Sequence, residues 1–133
     1  MKQSFLMNAT KKAVLAVHGE VLRNPLRQAI GTMFRPLRGG LVFVWWRTGR
    51  IAITNVFVPV DIDILWLDEA GRVVSMTQRF RSGAFHTVNS VPARYVIELP
   101  AGTIERTRTQ CGDRVACSEG VWSSAPSQRS VRV

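Results

Sequence analysis

Acid is almost missing from the first sixty residues of this chain: Glu20 stands alone there against nine lysines and arginines. The rest is nearly balanced, nine arginines against eight acids, so the net charge of +9 sits almost wholly in the first half. Lysine is scarce too, three residues against fifteen arginines. A half so poor in acid can track phosphates or anionic lipid. It equally suits a plain solvated surface, because net charge reports on solubility and non-specific binding before it reports on role. Cysteine is limited to Cys111 and Cys117, with five residues between them. That is not the two-residue spacing of a zinc knuckle or a redox pair. With His18 and His86 the only histidines, no four-ligand metal set is spelled out, and neither a metal nor a cofactor is expected. A regular strand between the cysteines would hold their Cα atoms beyond the roughly 7 Å limit for a bridge. A disulfide therefore needs Gly112-Asp113 to fold the chain back, and two free thiols are the expectation.

Long apolar runs are lacking as well. None reaches about 18 residues, so no membrane-spanning helix is expected. The first twelve residues lack the apolar core of a secretory signal, which predicts a cytoplasmic protein. The signatures of common catalysts are also missing: no HExxH, no phosphate-cradling glycine loop, no serine–histidine–aspartate spacing.

What is present is core material. The chain has 133 residues, 46% of them hydrophobic, which suits one domain with one core. We place that domain at residues 1–117 and expect the serine-rich 118–133 to be a poorly ordered tail. The longest apolar stretch runs from Ile51 to Asp68. It is continuous rather than alternating, so both faces should be covered. Pro59 interrupts it and predicts an edge or bulge. Beyond Pro59, Asp61, Asp63, Leu65 and Leu67 share one face of a strand, and Ile62, Ile64 and Trp66 the other. Asp68-Glu-Ala-Gly71 is a turn, and Arg72–Met76 returns as a hairpin partner, with Gly71 free to take a positive φ.

Other elements follow the same logic. Lys12–His18 reads as a two-sided strand, with His18 a packed or edge residue. Asn24, Pro25 and Gly31 punctuate a helix of at most two turns. Leu41–Trp46 is a strand, Arg47–Arg50 a tight turn, and Trp45 and Trp46 point to opposite faces. Ala93–Leu99 alternates, with Tyr95, Ile97 and Leu99 against Arg94, Val96 and Glu98. Thr103 caps a short helix through Arg108. Gln110–Asp113 is a turn, and Arg114–Cys117 a short strand. The sum is a mainly β protein: a compact antiparallel sandwich or barrel with one or two short helices.

Four blocks of this sequence resemble a small prokaryotic domain-of-unknown-function family, number 192, in the form common among archaeal members. They are Gly31-Thr-Met-Phe-Arg35; Leu41-Val-Phe-Val44; Asp63–Asp68 with Gly71-Arg-Val-Val74; and Ala93–Gly102, trailed by Gly112-Asp113. Together they span roughly residues 8–116, and the last block is the most specific. Many relatives carry proline where this chain has Asp61, and some carry histidine at the place of Thr54. The resemblance implies a compact, mostly antiparallel β-sandwich or barrel. It implies no activity, cofactor or catalytic set, and fold alone does not give function.

Two candidate sites remain. Asp61 and Asp63, two apart on a strand, point the same way about 7 Å apart. They could act as an acid–base pair of a hydrolase-like site or bind a hard cation. The structural alternative holds Asp63 in an ion pair with Arg35 or Arg94, or by backbone amides at the bulge. The second site is Arg35, Arg38, Trp46, Arg47 and Arg50, or Trp45 in place of Trp46. Arginine beside an aromatic is what a single-stranded nucleic-acid platform needs. The reading carried forward is a non-enzymatic β-domain that binds a ligand or partner. Nucleic acid is its first alternative and the aspartate site its second.

Overall fold

The computed structural model describes residues 3–23, 39–50, 52–53, 60–83, 87–88 and 91–122. The strands are β1 (Gln3–Asn8), β2 (Ala13–Leu22), β3 (Gly40–Gly49), β4 (Ala52–Ile53), β5 (Ile62–Leu67), β6 (Val73–Phe80), β7 (Thr87–Val88), β8 (Ala93–Pro100) and β9 (Val115–Cys117). One helix, α1 (Thr103–Thr107), lies between β8 and β9. Seven strands form one sheet in the order β6-β5-β8-β3-β2-β1-β9, while β4 and β7 pair separately. The large sheet curls until its two edges meet at one end. Val73 N–H donates to Asp113 O at 2.9 Å, Gly112 N–H to Val73 O at 2.8 Å, and Val115 N–H to Gly71 O at 2.9 Å. The result is mainly β and half-closed, which relieves part of the exposure of the edge strands.

Five of the six pairings in the large sheet are antiparallel, as expected, but β2 and β3 run parallel from Gly19↔Gly40 to Leu22↔Phe43. A parallel pair needs a long crossover, and the chain between Leu22 and Gly40 is long enough to supply one. The expected tight turn at Arg47–Arg50 is replaced by strand through Gly49, with a register shift between Val44 and Gly49. The helix expected at Asn24–Gly31 and the proline break at Pro59 lie outside the described residues.

The continuous apolar pattern of β5 is explained by two cores, one on each side of the sheet. Leu65 and Leu67 join Leu6, Val42, Ile97, Leu99, Ile104 and Trp122 on the inner face. Ile62, Ile64 and Trp66 join Leu22, Leu41, Phe43, Phe80 and Val96 on the other. All six β5 residues are buried, Asp63 included. Gly71 turns the chain from β5 into β6 at φ 84°, and a Cβ there would stand 2.3 Å from the Trp122 ring. Trp122 is itself buried, donates from Nε1 to Val115 O at 2.7 Å and packs on Tyr95 with ring centroids 5.2 Å apart. The packed body therefore continues past Cys117 to Trp122. The serine-rich composition hid this, because a single aromatic anchors the segment. Residues 123–133 lie outside the described residues.

Candidate functional site

The two aspartates do not converge. Asp63 is fully buried and accepts two backbone N–H groups, from Arg79 at 2.9 Å and from Ile104 at 2.8 Å. Arg79 stands at φ 53° at an irregularity of the β5–β6 pairing, and Ile104 is in the first turn of α1. Gly102, at the cap of that helix, has no side chain with which to satisfy the first amides. Asp63 supplies the missing acceptor from a neighbouring strand. Asp61 is exposed and accepts from the Ser82 N–H at 2.8 Å. Arg94 sits beyond the Leu67↔Tyr95 end of the β5–β8 pairing, whereas Asp63 pairs with Leu99 at the other. Arg94 is thus remote from Asp63, and its Nε donates to Trp45 O. Arg35, the other expected partner, lies outside the described residues. Among the described residues no group of three metal-ligating side chains forms.

Of the basic cluster, Arg35 and Arg38 lie outside the described residues, as do the side chains of Trp46 and Arg47. Arg50 is exposed. Trp45, half-buried, packs against the outer core, and its Nε1 is buried without a hydrogen-bond partner among the described residues. Cys111 is exposed, Cys117 half-buried, and both are free.

Two acids outside the sequence candidates occupy unusual places. Glu98 on β8 is only 3% exposed, and no hydrogen bond reaches its carboxyl from the described residues. Burial pushes its pKa up to about 8. The register sets it in one row with Leu41 and, one strand further, Glu20, whose Oε2 is buried and unpaired among the described residues. The same row continues to Ile64 and Thr77. Asp113, also buried, is the opposite case. Its burial favours the neutral form, but hydrogen bonds from Asn8, Lys11 and the Gln110 N–H, with the Lys11 charge, outweigh that and lower its pKa. A depressed carboxylate stabilises the fold above its unfolded pKa, and that stability is lost as pH falls through the folded value. Asp113→Asn is therefore expected to flatten the acid limb of a denaturation profile. An acid limb parallel to wild type would contradict it.

A cleft of about 460 Å3 opens on the surface beside α1. One wall is Leu15, Ala16, Val17 and His18 of β2. The other is Pro100, Ala101, Gly102 and Thr103 at the β8–α1 corner, with Arg106 of α1, and Gly39 closes the end. Most of this lining is apolar, which is the usual make-up of a ligand pocket. The described lining holds one arginine, one histidine and no acid. Arg106 is exposed and takes part in none of the ion pairs among the described residues. The corner is held in place by Asp63 through Ile104 and by Thr103 Oγ1 donating to Pro100 O at 2.7 Å. Sequence reading missed the cleft because its walls come from distant segments. The one available signal was that Pro100-Ala-Gly102 closes the most specific of the four blocks.

The family model DUF192, described as Uncharacterized ACR, matches residues 6–117. A UPF0127 protein of Pyrococcus furiosus is 30% identical over 112 residues, covering 83% of this chain and 95% of its own. One from Pyrococcus horikoshii is 33% identical over 92 residues, covering 68% and 78%. Among solved structures, a Sinorhizobium meliloti protein named as a candidate transcription regulator superposes with a TM-score of 0.75 at 21% identity, over 86% of this chain and 92% of that one. A Novosphingobium aromaticivorans protein of unknown function gives 0.74 at 19%, over 86% and 83%. At these identities the structural likeness speaks for the fold alone.

Proposed function

This chain belongs to the DUF192 family of uncharacterized proteins, and we propose that it is a non-enzymatic binding domain whose cleft takes a ligand with an apolar body and an anionic group. The observation that carries this reading is the lining: an apolar floor with a free guanidinium on its rim and no acid among the described residues. Arg106 would pair the anion, with fork geometry suited to a carboxylate or phosphate. Leu15, Ala16, Pro100 and Ala101 would cover the apolar part. The aspartates weigh against hydrolysis. Asp63 has an acceptor bond on each oxygen, both to structural amides, and Asp61 stands on the surface.

Hexanoate, hexanol and hexylammonium test the reading in solution, because they share a tail and differ in charge. Hexanoate is expected to bind best, by roughly tenfold over hexylammonium, and to weaken with salt because Arg106 is exposed. Arg106→Glu should reverse that order. Equal binding of all three, or an order indifferent to Arg106→Glu, would refute the reading.

A further inference from the structure

We infer that an acidic peptide of a partner protein adds to the edge of β2 in this cleft, an inference that rests on the cleft being a binding site. The sheet order places β3 between β2 and β8. Yet β3 begins only at Gly40, opposite Gly19, while β2 reaches back to Ala13 and β8 runs on to Pro100. On the side away from β1, residues 13–18 of β2 therefore have no strand beside them among the described residues. The cleft occupies that missing length of β3. Its walls are the two elements that would flank such a strand, β2 and the end of β8.

An unpaired edge offers a row of N–H and C=O groups, and an extended peptide satisfies them by pairing. Leu15, Ala16 and Val17 of β2 line the cleft, enough for a paired segment of about 10 Å, and Gly39 packs against the His18 carbonyl at its end. Val17 on this edge is 60% exposed, an open apolar contact for a side chain of the added strand. Arg106 across the slot and His18 on the β2 wall stand without an acid in the described lining. The complementary peptide thus alternates apolar and acidic residues, its backbone held by β2 and its acids by Arg106.

Residue-resolved amide hydrogen exchange on the full chain tests this with four probes. They are a synthetic peptide alternating valine and glutamate, its valine–lysine counterpart, the valine–glutamate peptide N-methylated at alternate amides, and hexanoate. In the free protein the edge amides within residues 13–18 should exchange fast. The valine–glutamate peptide should slow them roughly tenfold or more, and the lysine and N-methylated peptides should bind roughly tenfold more weakly. Edge amides already protected in the free protein would mean the chain fills its own slot, and the inference falls. Hexanoate binding without peptide protection would overturn the strand and leave the ligand cleft standing. If neither binds, both readings fail. An N-methylated peptide that binds as well as its parent, or oligothymidylate protecting the same amides better than the peptide, would also overturn it.

Discussion

Asp63→Ala is expected to lower the unfolding free energy by about 2–4 kcal/mol. The wild-type carboxylate is fully buried and accepts one backbone N–H on each oxygen, from Arg79 and from Ile104. Alanine leaves both amides without their acceptor, the Ile104 N–H in a buried site and the Arg79 N–H in a part-buried one, and an unsatisfied buried donor costs about 1–3 kcal/mol. It also removes the cap of α1, because Gly102 has no side chain to take over. Asp63→Asn should recover only part of the loss, since one amide oxygen remains an acceptor while its NH2 faces a second donor. Denaturant unfolding reads both variants directly. A midpoint for Asp63→Ala equal to wild type would show that the carboxylate does not hold this corner.

The second large effect is at Glu98 and runs the other way. Its carboxyl is pushed up to about 8 by burial, against an ordinary 4.5. The folded state therefore keeps a proton that the unfolded chain gives up. Stability is full below the unfolded value and falls as pH rises toward 8, beyond which both states are ionised and the loss is complete. A tenfold difference in proton affinity between the two states corresponds to about 1.4 kcal/mol, so the loss approaches roughly 5 kcal/mol. Glu98→Gln keeps the shape without the ionisation. The variant should match wild type near pH 4 and exceed it by several kcal/mol near pH 9. Other titrating groups cancel in the difference. Curves that stay parallel from pH 4 to pH 9 would contradict the burial of an ionisable Glu98.

The sequence made the strands legible where two periodicities coincided with punctuation. The β5–β6 hairpin could be read from Asp68-Glu-Ala-Gly71, because the turn demands a residue such as Gly71 at positive φ. The two-sided burial of β5 followed from an apolar run with no alternation. The parallel β2–β3 pairing could not be read, since strand order is set by contacts between distant segments. Trp122 escaped because one aromatic in a serine-rich stretch carries no period. Glu98 escaped for a related reason. Alternation put it opposite Tyr95, Ile97 and Leu99, and a charged residue there reads as solvent-facing until a second core is found on that side. Val96 on the same face was the available hint. The candidate acids were visible as residues but not as roles. A strand period says that Asp61 and Asp63 share a face; it does not say that Asp63 is spent on two backbone amides while Asp61 stands outside.

The cleft is where these elements meet: Asp63 fixes the β8–α1 corner, and among the described residues the early start of β2 relative to β3 leaves the gap beside it. Titration of the 15N-labelled full chain with hexanoate, followed by backbone amide shifts, tests this most directly. Shifts should concentrate at residues 15–18, Gly39 and 100–106, and should be lost in Arg106→Glu. Shifts absent there and gathered instead around Arg50 would contradict a binding cleft at this corner and move the binding surface to the basic half of the chain.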